Sequence, residues 1–278
     1  MDGQIARSRP AGKGRISCGM RVVALSLVSV VAWSHAAWAQ DNYEIQVYAA
    51  ELVPRGATMV ELHSNYTFRD SGDSTPGVLS SRHALHETIE ITHGFSEWLE
   101  VGVYVFTSAV PGVGWQWVGD HLRPRVSVPE RWHWPVGVSL SQEIGYQRRA
   151  YSEDTWTWEI RPIVDKRFGR AYVSLNPVVD RSLKGPGAGA GFGFSPNVLV
   201  SLDVTPRVTV ALEYYGGFGP IGDPASLDHS QQQLFPAVDI DFGPAWEFNA
   251  GVGIGLTPAT DRLLAKFILG RRFGGSHR

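Results

Sequence analysis

Three groups of residues have side chains that could do chemistry. His83 and His86 lie three apart, and His63 lies beside Glu61, Ser64 and Asn65. A glycine run, Gly187-Ala188-Gly189-Ala190-Gly191, has the composition of a phosphate loop. Two histidines three apart on a strand point to opposite faces, so His83 and His86 make a poor metal pair. Adjacent His63 and Ser64 also face opposite ways, whereas a nucleophilic serine must meet its base on one face. The glycine run has no helix after it to hold a phosphate. The sequence therefore predicts no catalytic residues, no cofactor and no metal. It leaves a set of charged residues on strand faces, and the question becomes what positions them.

The positioning elements are repeated hairpins. Turn clusters at Phe95, Arg131, Phe168, Thr205 and Gly243 recur at intervals of 36, 37, 37 and 38 residues. Between successive turns lie two alternating apolar and polar runs and one looser loop. A period-two reading predicts twelve strands, near 58–69, 84–92, 98–107, 119–128, 135–147, 155–165, 171–181, 191–203, 207–216, 231–241, 246–256 and 262–273. In the third, Leu99, Val101, Val103 and Val105 oppose Glu100, Gly102, Tyr104 and Phe106. In the last, Leu263, Ala265, Phe267, Leu269 and Phe273 oppose Lys266, Gly270 and Arg272. Five tight turns are expected, at His93–Glu97, Pro129–Trp134, Lys166–Arg170, Val204–Pro206 and Phe242–Ala245. The alternate connections, among them Asp70–Arg82, Ser108–Gly114, Leu183–Ala190 and Gly217–Ser230, read as longer loops.

This pattern implies a membrane. In hydrocarbon every backbone donor and acceptor must be paired internally, so strands cross only as a closed barrel, apolar outside and polar within. Phe95, Trp98, Trp132, Trp134, Phe168, Phe242 and Trp246 cluster near the short turns, as an interfacial girdle would. A propeller blade would need four short strands per repeat where this chain has two long ones. A soluble sandwich would tolerate the same alternation with its faces inverted, and sequence alone does not say which face is outside. The expected fold is an all-β, antiparallel transmembrane barrel of about 12 strands, in contact with outer-membrane lipid and inserted by barrel-assembly machinery. An even strand count puts both chain ends on the short-turn side.

The N-terminus reads as a cleavable leader. Arg7, Arg9, Lys13, Arg15 and Arg21 precede an apolar stretch from Val22 to Trp33, and Ala37-Trp38-Ala39 suits cleavage after Ala39. Met20 would serve as an alternative start. The apolar run falls short of the ~20 residues of a spanning helix. Cys18, the single cysteine, precedes that run, whereas a lipoprotein cysteine would follow it, so no lipid anchor is expected and the mature chain has no cysteine for a disulfide. Setting aside the leader's five basic residues and one acid leaves 20 basic and 26 acidic residues, a net charge of −6 that argues against nucleic acid. The expected organisation is a leader (1–39), a periplasmic lead-in (40–56), the barrel (57–273) and a short tail (274–278). The lead-in could instead enter the barrel as a partial plug.

The inward faces predict a set of pore-lining residues: Glu61, His63, Glu90, Glu100, Arg123, Arg125, Glu143, Glu159, Arg161, Glu213, Asp239, Glu247, Lys266 and Arg272. Twelve strands fall between small barrels filled with side chains and the 16–18 strands of open porins, so a narrow or occluded lumen is expected. These residues line a path for a small solute or only brace the interior. A passive channel is the leading reading. A non-conducting structural or adhesive barrel acting through its loops, and a lipid-modifying enzyme, are the alternatives.

Several stretches resemble the outer-membrane family named for the MetA pathway of phenol degradation. They are Glu44-Ile45-Gln46-Val47-Tyr48, Thr92-His93-Gly94 with Leu99-Glu100-Val101-Gly102, Leu212-Glu213-Tyr214-Tyr215-Gly216 and, most fully, Gly251-Val252-Gly253-Ile254-Gly255-Leu256-Thr257-Pro258-Ala259-Thr260-Asp261 followed by Lys266 and Phe273. The resemblance covers about residues 43–273. It implies an outer-membrane barrel with a transport role and a link to aromatic catabolism, and it carries over no catalytic site.

Overall fold

The alternation along the chain closes into one sheet. The structure, a computed structural model, describes residues 42–72 and 75–275; the leader expected over 1–39 lies outside them. Twelve strands follow in order: β1 (Ala57–Arg69), β2 (Leu85–Gly94), β3 (Leu99–Val110), β4 (Gly114–Ser127), β5 (Gly137–Gln147), β6 (Trp156–Phe168), β7 (Ala171–Lys184), β8 (Gly193–Thr205), β9 (Val208–Gly217), β10 (Gln231–Ile240), β11 (Trp246–Gly255) and β12 (Leu263–Gly274). Each pairs antiparallel with its neighbours in sequence, and β12 returns to pair with β1, closing the barrel. Closure leaves no strand edge with unpaired backbone groups.

Side-chain direction resolves the question of inside and outside. On β3, Val103 and Val105 are exposed, whereas Glu100, Tyr104 and Phe106 are buried. Leu62, Ile89, Ile91, Leu122, Ile144, Val252 and Ile254 are likewise exposed on the outer wall. Charge lies inside and aliphatic surface outside, the reverse of a soluble core, and this is the arrangement hydrocarbon demands. All seven aromatics expected at the short-turn end are exposed. A second exposed group, Phe68, Trp115, Trp117 and Trp156, lies toward the opposite ends of β1, β4 and β6. A substitution Val105→Arg on the lipid-facing wall should cost about 2–4 kcal/mol near mid-bilayer. Urea unfolding in phospholipid vesicles would check this, and a loss near zero would mean that the outer wall of β3 does not meet lipid.

The connections depart from expectation in two places. Val110 to Gly114 is a tight turn, because β3 and β4 both extend into the stretch read as a long loop. The pairing slips between Phe106 and Thr107, so that Val118 is an extra residue on β4. A bulge of this kind breaks period-two alternation and hides the first part of the strand. The β4–β5 turn is longer than expected and contains a 3-10 turn, Glu130–Trp132. By contrast β6 and β7 are joined through Gly169 and Arg170 alone, with Gly169 at φ 62°, a left-handed conformation that glycine adopts without strain.

Prolines punctuate the ladder. Pairing is interrupted beside Pro124 between β4 and β5, around Pro162 and Pro177 between β6 and β7, and at Pro236 between β10 and β11. Proline has no N–H to give to a ladder, which accounts for these gaps.

The largest departure concerns the segment expected as a periplasmic lead-in. Over the described residues from Asn42 to Val53 it runs inside the barrel. It makes no strand pairing, yet Tyr43, Glu44, Ile45, Val47, Tyr48 and Ala50 are buried. Asn42 bonds Asp261 in the β11–β12 loop, whereas Val53 bonds Glu100 and Gly56 bonds Gly94 beside the β2–β3 turn. The segment thus traverses the lumen from the loop end to the short-turn end before β1 begins. Although β1 starts and β12 ends at the short-turn end, the first described residue lies at the other end. Each hydrophobic cluster of the interior includes this segment: Ile45 and Val47 pack with Tyr215, Phe235 and Leu264; Tyr43 with Tyr104, Phe106 and Val118; Tyr48 and Ala50 with Ile163. The wall supplies the shell of a core whose centre is residues 43–50.

Candidate functional site: the lumen

The wall holds the lumen segment by its carbonyl oxygens. Thr88 donates to Tyr43, Lys266 to Ile45, Arg161 to Gln46, Ser174 and Asn176 to Tyr48, Arg125 to Ala49 and Glu51, and Ser127 to Ala50. In return the amide N–H groups of Tyr48, Ala50 and Val53 donate to Asn176, Asp165 and Glu100. These are side-chain bonds to backbone. The barrel's own ladder would be complete without them.

Tyr48 is the centre of the site. The guanidinium of Arg123 lies 4.4 Å from its ring centroid, that of Arg161 4.8 Å and that of Arg125 5.5 Å. All three are within the range of cation–π attraction. The Tyr48 hydroxyl bonds Glu44 and approaches the Tyr104 hydroxyl at 3.1 Å. Arg123 is the hub of the wall charges. It bonds Glu90 at 2.5 Å and lies 3.7 Å from Glu100, while Arg125 takes Glu100 at 2.7 Å. All four are nearly inaccessible to solvent, so each charge depends on its partners.

The remaining predicted residues form smaller groups. Glu213 and Lys266 make a buried ion pair, with the Tyr215 hydroxyl also donating to Glu213. Arg161 bonds half-buried Glu159 at 2.7 Å. Glu143 is bonded by His121, a residue absent from the predicted set. Gly145 makes this possible, since a Cβ there would overlap the His121 ring at 1.7 Å. Asp239 accepts from Asn249. Glu61, His63 and Glu90 meet where β1 and β2 pair, and Glu247 flanks Gly270 opposite Glu61. Arg272 is set apart at the short-turn end, where it bonds the Pro244 carbonyl.

Sequence reasoning missed the residues the segment itself contributes, Glu44 and Tyr48, and the wall groups Asp165, Ser174, Asn176 and Ser127 that grip it. Uncharged polar residues on an inward face carry no signal that separates gripping from filling. Glu44 to Tyr48 did stand out, as one of the stretches carrying the family resemblance.

Inside the lumen His86 and Ser108 are buried cross-strand partners on β2 and β3, but no hydrogen bond joins them, and among the described residues no carboxylate orients that histidine. His63 is fully buried, and Ser64 faces the other way to bond Glu87. Ser226, Asp228 and His229 do cluster, in the exposed β9–β10 loop. There the Ser226 hydroxyl holds the Asp228 carboxyl below its ordinary range. The motif is a local turn, with its histidine and aspartate largely in solvent.

No protein-family model matches this chain, and no curated protein matches its sequence. Solved structures do match its fold. An outer membrane channel from Pseudomonas putida F1 superposes with a TM-score of 0.57 at 13% identity, covering 83% of this chain and 100% of that one. The NanC porin superposes with a TM-score of 0.50 at 8% identity, covering 78% of this chain and 100% of its own. At these identities the likeness concerns the fold, which is that of a bacterial outer-membrane β-barrel.

Proposed function

We propose that the chain is a passive outer-membrane channel for a small solute, with the 42–53 segment as its constriction. One observation carries this reading. The segment is held by side-chain hydrogen bonds and side-chain packing and by no strand pairing, so it can shift without breaking any ladder bond. A barrel that needed only to be a wall would gain more from an apolar filling, since burying charge is costly. The donors Thr88, Lys266, Arg161, Ser174, Asn176, Arg125 and Ser127 form a series along the lumen that bonds carbonyl oxygens. A solute bearing carbonyl or carboxylate oxygens would meet the same series. Of the expected pore liners, Glu100, Arg125, Arg161 and Lys266 bond the segment directly. The link to aromatic catabolism rests on the sequence resemblance described above and extends the same reading to the choice of solute.

The test is single-channel recording of the refolded barrel in planar bilayers. The expected result is discrete, small and intermittent steps for the intact chain, and longer ones for Tyr48→Ala, which removes the side chain at the centre of the arginine cluster. Silence from both proteins would overturn the channel and favour a structural or adhesive barrel.

A further inference from the structure

We propose that Glu61, His63 and Glu90 form a binding site for a divalent transition-metal ion, zinc being the best match to one imidazole and two carboxylates. Glu61 and His63 lie two apart on β1 and so share its inner face, and Glu90 on β2 is the cross-strand partner of Glu61. One ligand atom from each lies within 4.8 Å of the others. The three residues are 7%, 0% and 1% exposed, which removes them from competition with bulk water.

The second observation is the state of His63. Neither ring nitrogen makes a hydrogen bond, although the residue is fully buried. Its Nε2 lies 3.4 Å from Glu90 Oε2, an atom that also has no hydrogen-bond partner. That separation is longer than the usual 2.7–3.2 Å of an N–H···O bond. It matches the span of about 3.3 Å between two ligands on a tetrahedral ion with bonds of about 2.0–2.2 Å. The other oxygen of Glu90 is already committed, to Arg123 and to the Thr92 hydroxyl, and this fixes which oxygen faces His63.

Charge points the same way. Glu61 has no ion-pair partner among the described residues, and Glu90 across the strand pair and Glu247 across Gly270 add two more carboxyl groups beside it. A dication would offset that excess within the low-dielectric interior. Gly270 preserves the room, because a Cβ there would come within 3.0 Å of the Glu61 side chain. Three protein ligands leave a fourth position for water or for an oxygen of a passing solute.

The test uses the tag-free protein refolded in detergent, equilibrated with zinc chloride, desalted and assayed for metal by mass spectrometry. One equivalent of zinc is expected in the wild type and in His229→Gln, which removes the exposed histidine beside Asp228. His63→Gln and Glu61→Gln should weaken binding by more than about tenfold, since loss of even a supporting group costs that much. Cobalt on the wild type should give the visible absorption of a four-coordinate ion, a readout that survives any failure of the variants to fold. Metal-free wild type, zinc retained in a refolded His63→Gln, zinc lost with His229→Gln, or cobalt without that absorption would each overturn the site.

Discussion

Deleting residues 42–53 should turn intermittent small steps into a steady conductance on the order of tenfold larger, because a twelve-stranded barrel encloses more than its own side chains can fill. The same deletion should destabilise the fold. Tyr43, Ile45, Val47 and Tyr48 leave the three interior clusters, and each fully buried large side chain contributes about 1.5–3 kcal/mol. The barrel should still close, since every ladder pairing lies outside the deleted stretch. Planar-bilayer recording measures the first effect and urea unfolding in vesicles the second. An unchanged conductance would show that the wall side chains, rather than the segment, close the path.

Arg123→Met should be the most damaging point substitution in the lumen. It strands Glu90 as a buried carboxylate, leaves Glu100 to Arg125 and the Val53 N–H, and removes the cation over the Tyr48 and Tyr104 rings. Breaking a buried pair from one side costs about 3–5 kcal/mol, chiefly through the charge left behind. The double variant Arg123→Met with Glu90→Gln should recover part of that loss, because one stranded charge goes with its partner. A double-mutant cycle on unfolding free energies measures the coupling. Additive losses would mean that the Thr92 hydroxyl, rather than Arg123, holds Glu90. Lysine at position 123 should rescue only partly, since a single ammonium cannot span Glu90, Glu100 and the Tyr48 face together.

The wall was legible in the sequence because a half-buried strand prints its environment every second residue. Val103, Val105 and Glu100 read correctly for that reason, and the strand count followed. Two things escaped. The bulge at Val118 inverts the phase of β4, so the alternation read from 119 onward does not extend back over Trp115 and Trp117. The lumen segment is surrounded on all sides, and burial on every side has no period. Tyr43-Glu44-Ile45 are consecutive buried residues, a pattern that no alternation test detects. The candidate charges were legible as a set, but their grouping was not. Glu213 and Lys266 come from β9 and β12, which are not neighbours in the sheet, and only lumen geometry brings them together.

The seam between β1 and β12 has a consequence for how the molecule folds. Residues on both sides of it grip one segment: Lys266 of β12 holds the Ile45 carbonyl, Asn65 of β1 that of Asn42, and Thr88 of β2 that of Tyr43. Until the seam zips, these grips cannot coexist, and the interior has neither a centre nor a shell. Edge pairing and core formation are therefore a single cooperative event. A half-assembled sheet would gain little by lingering, and unfolding should proceed as one transition from a closed barrel to an open chain.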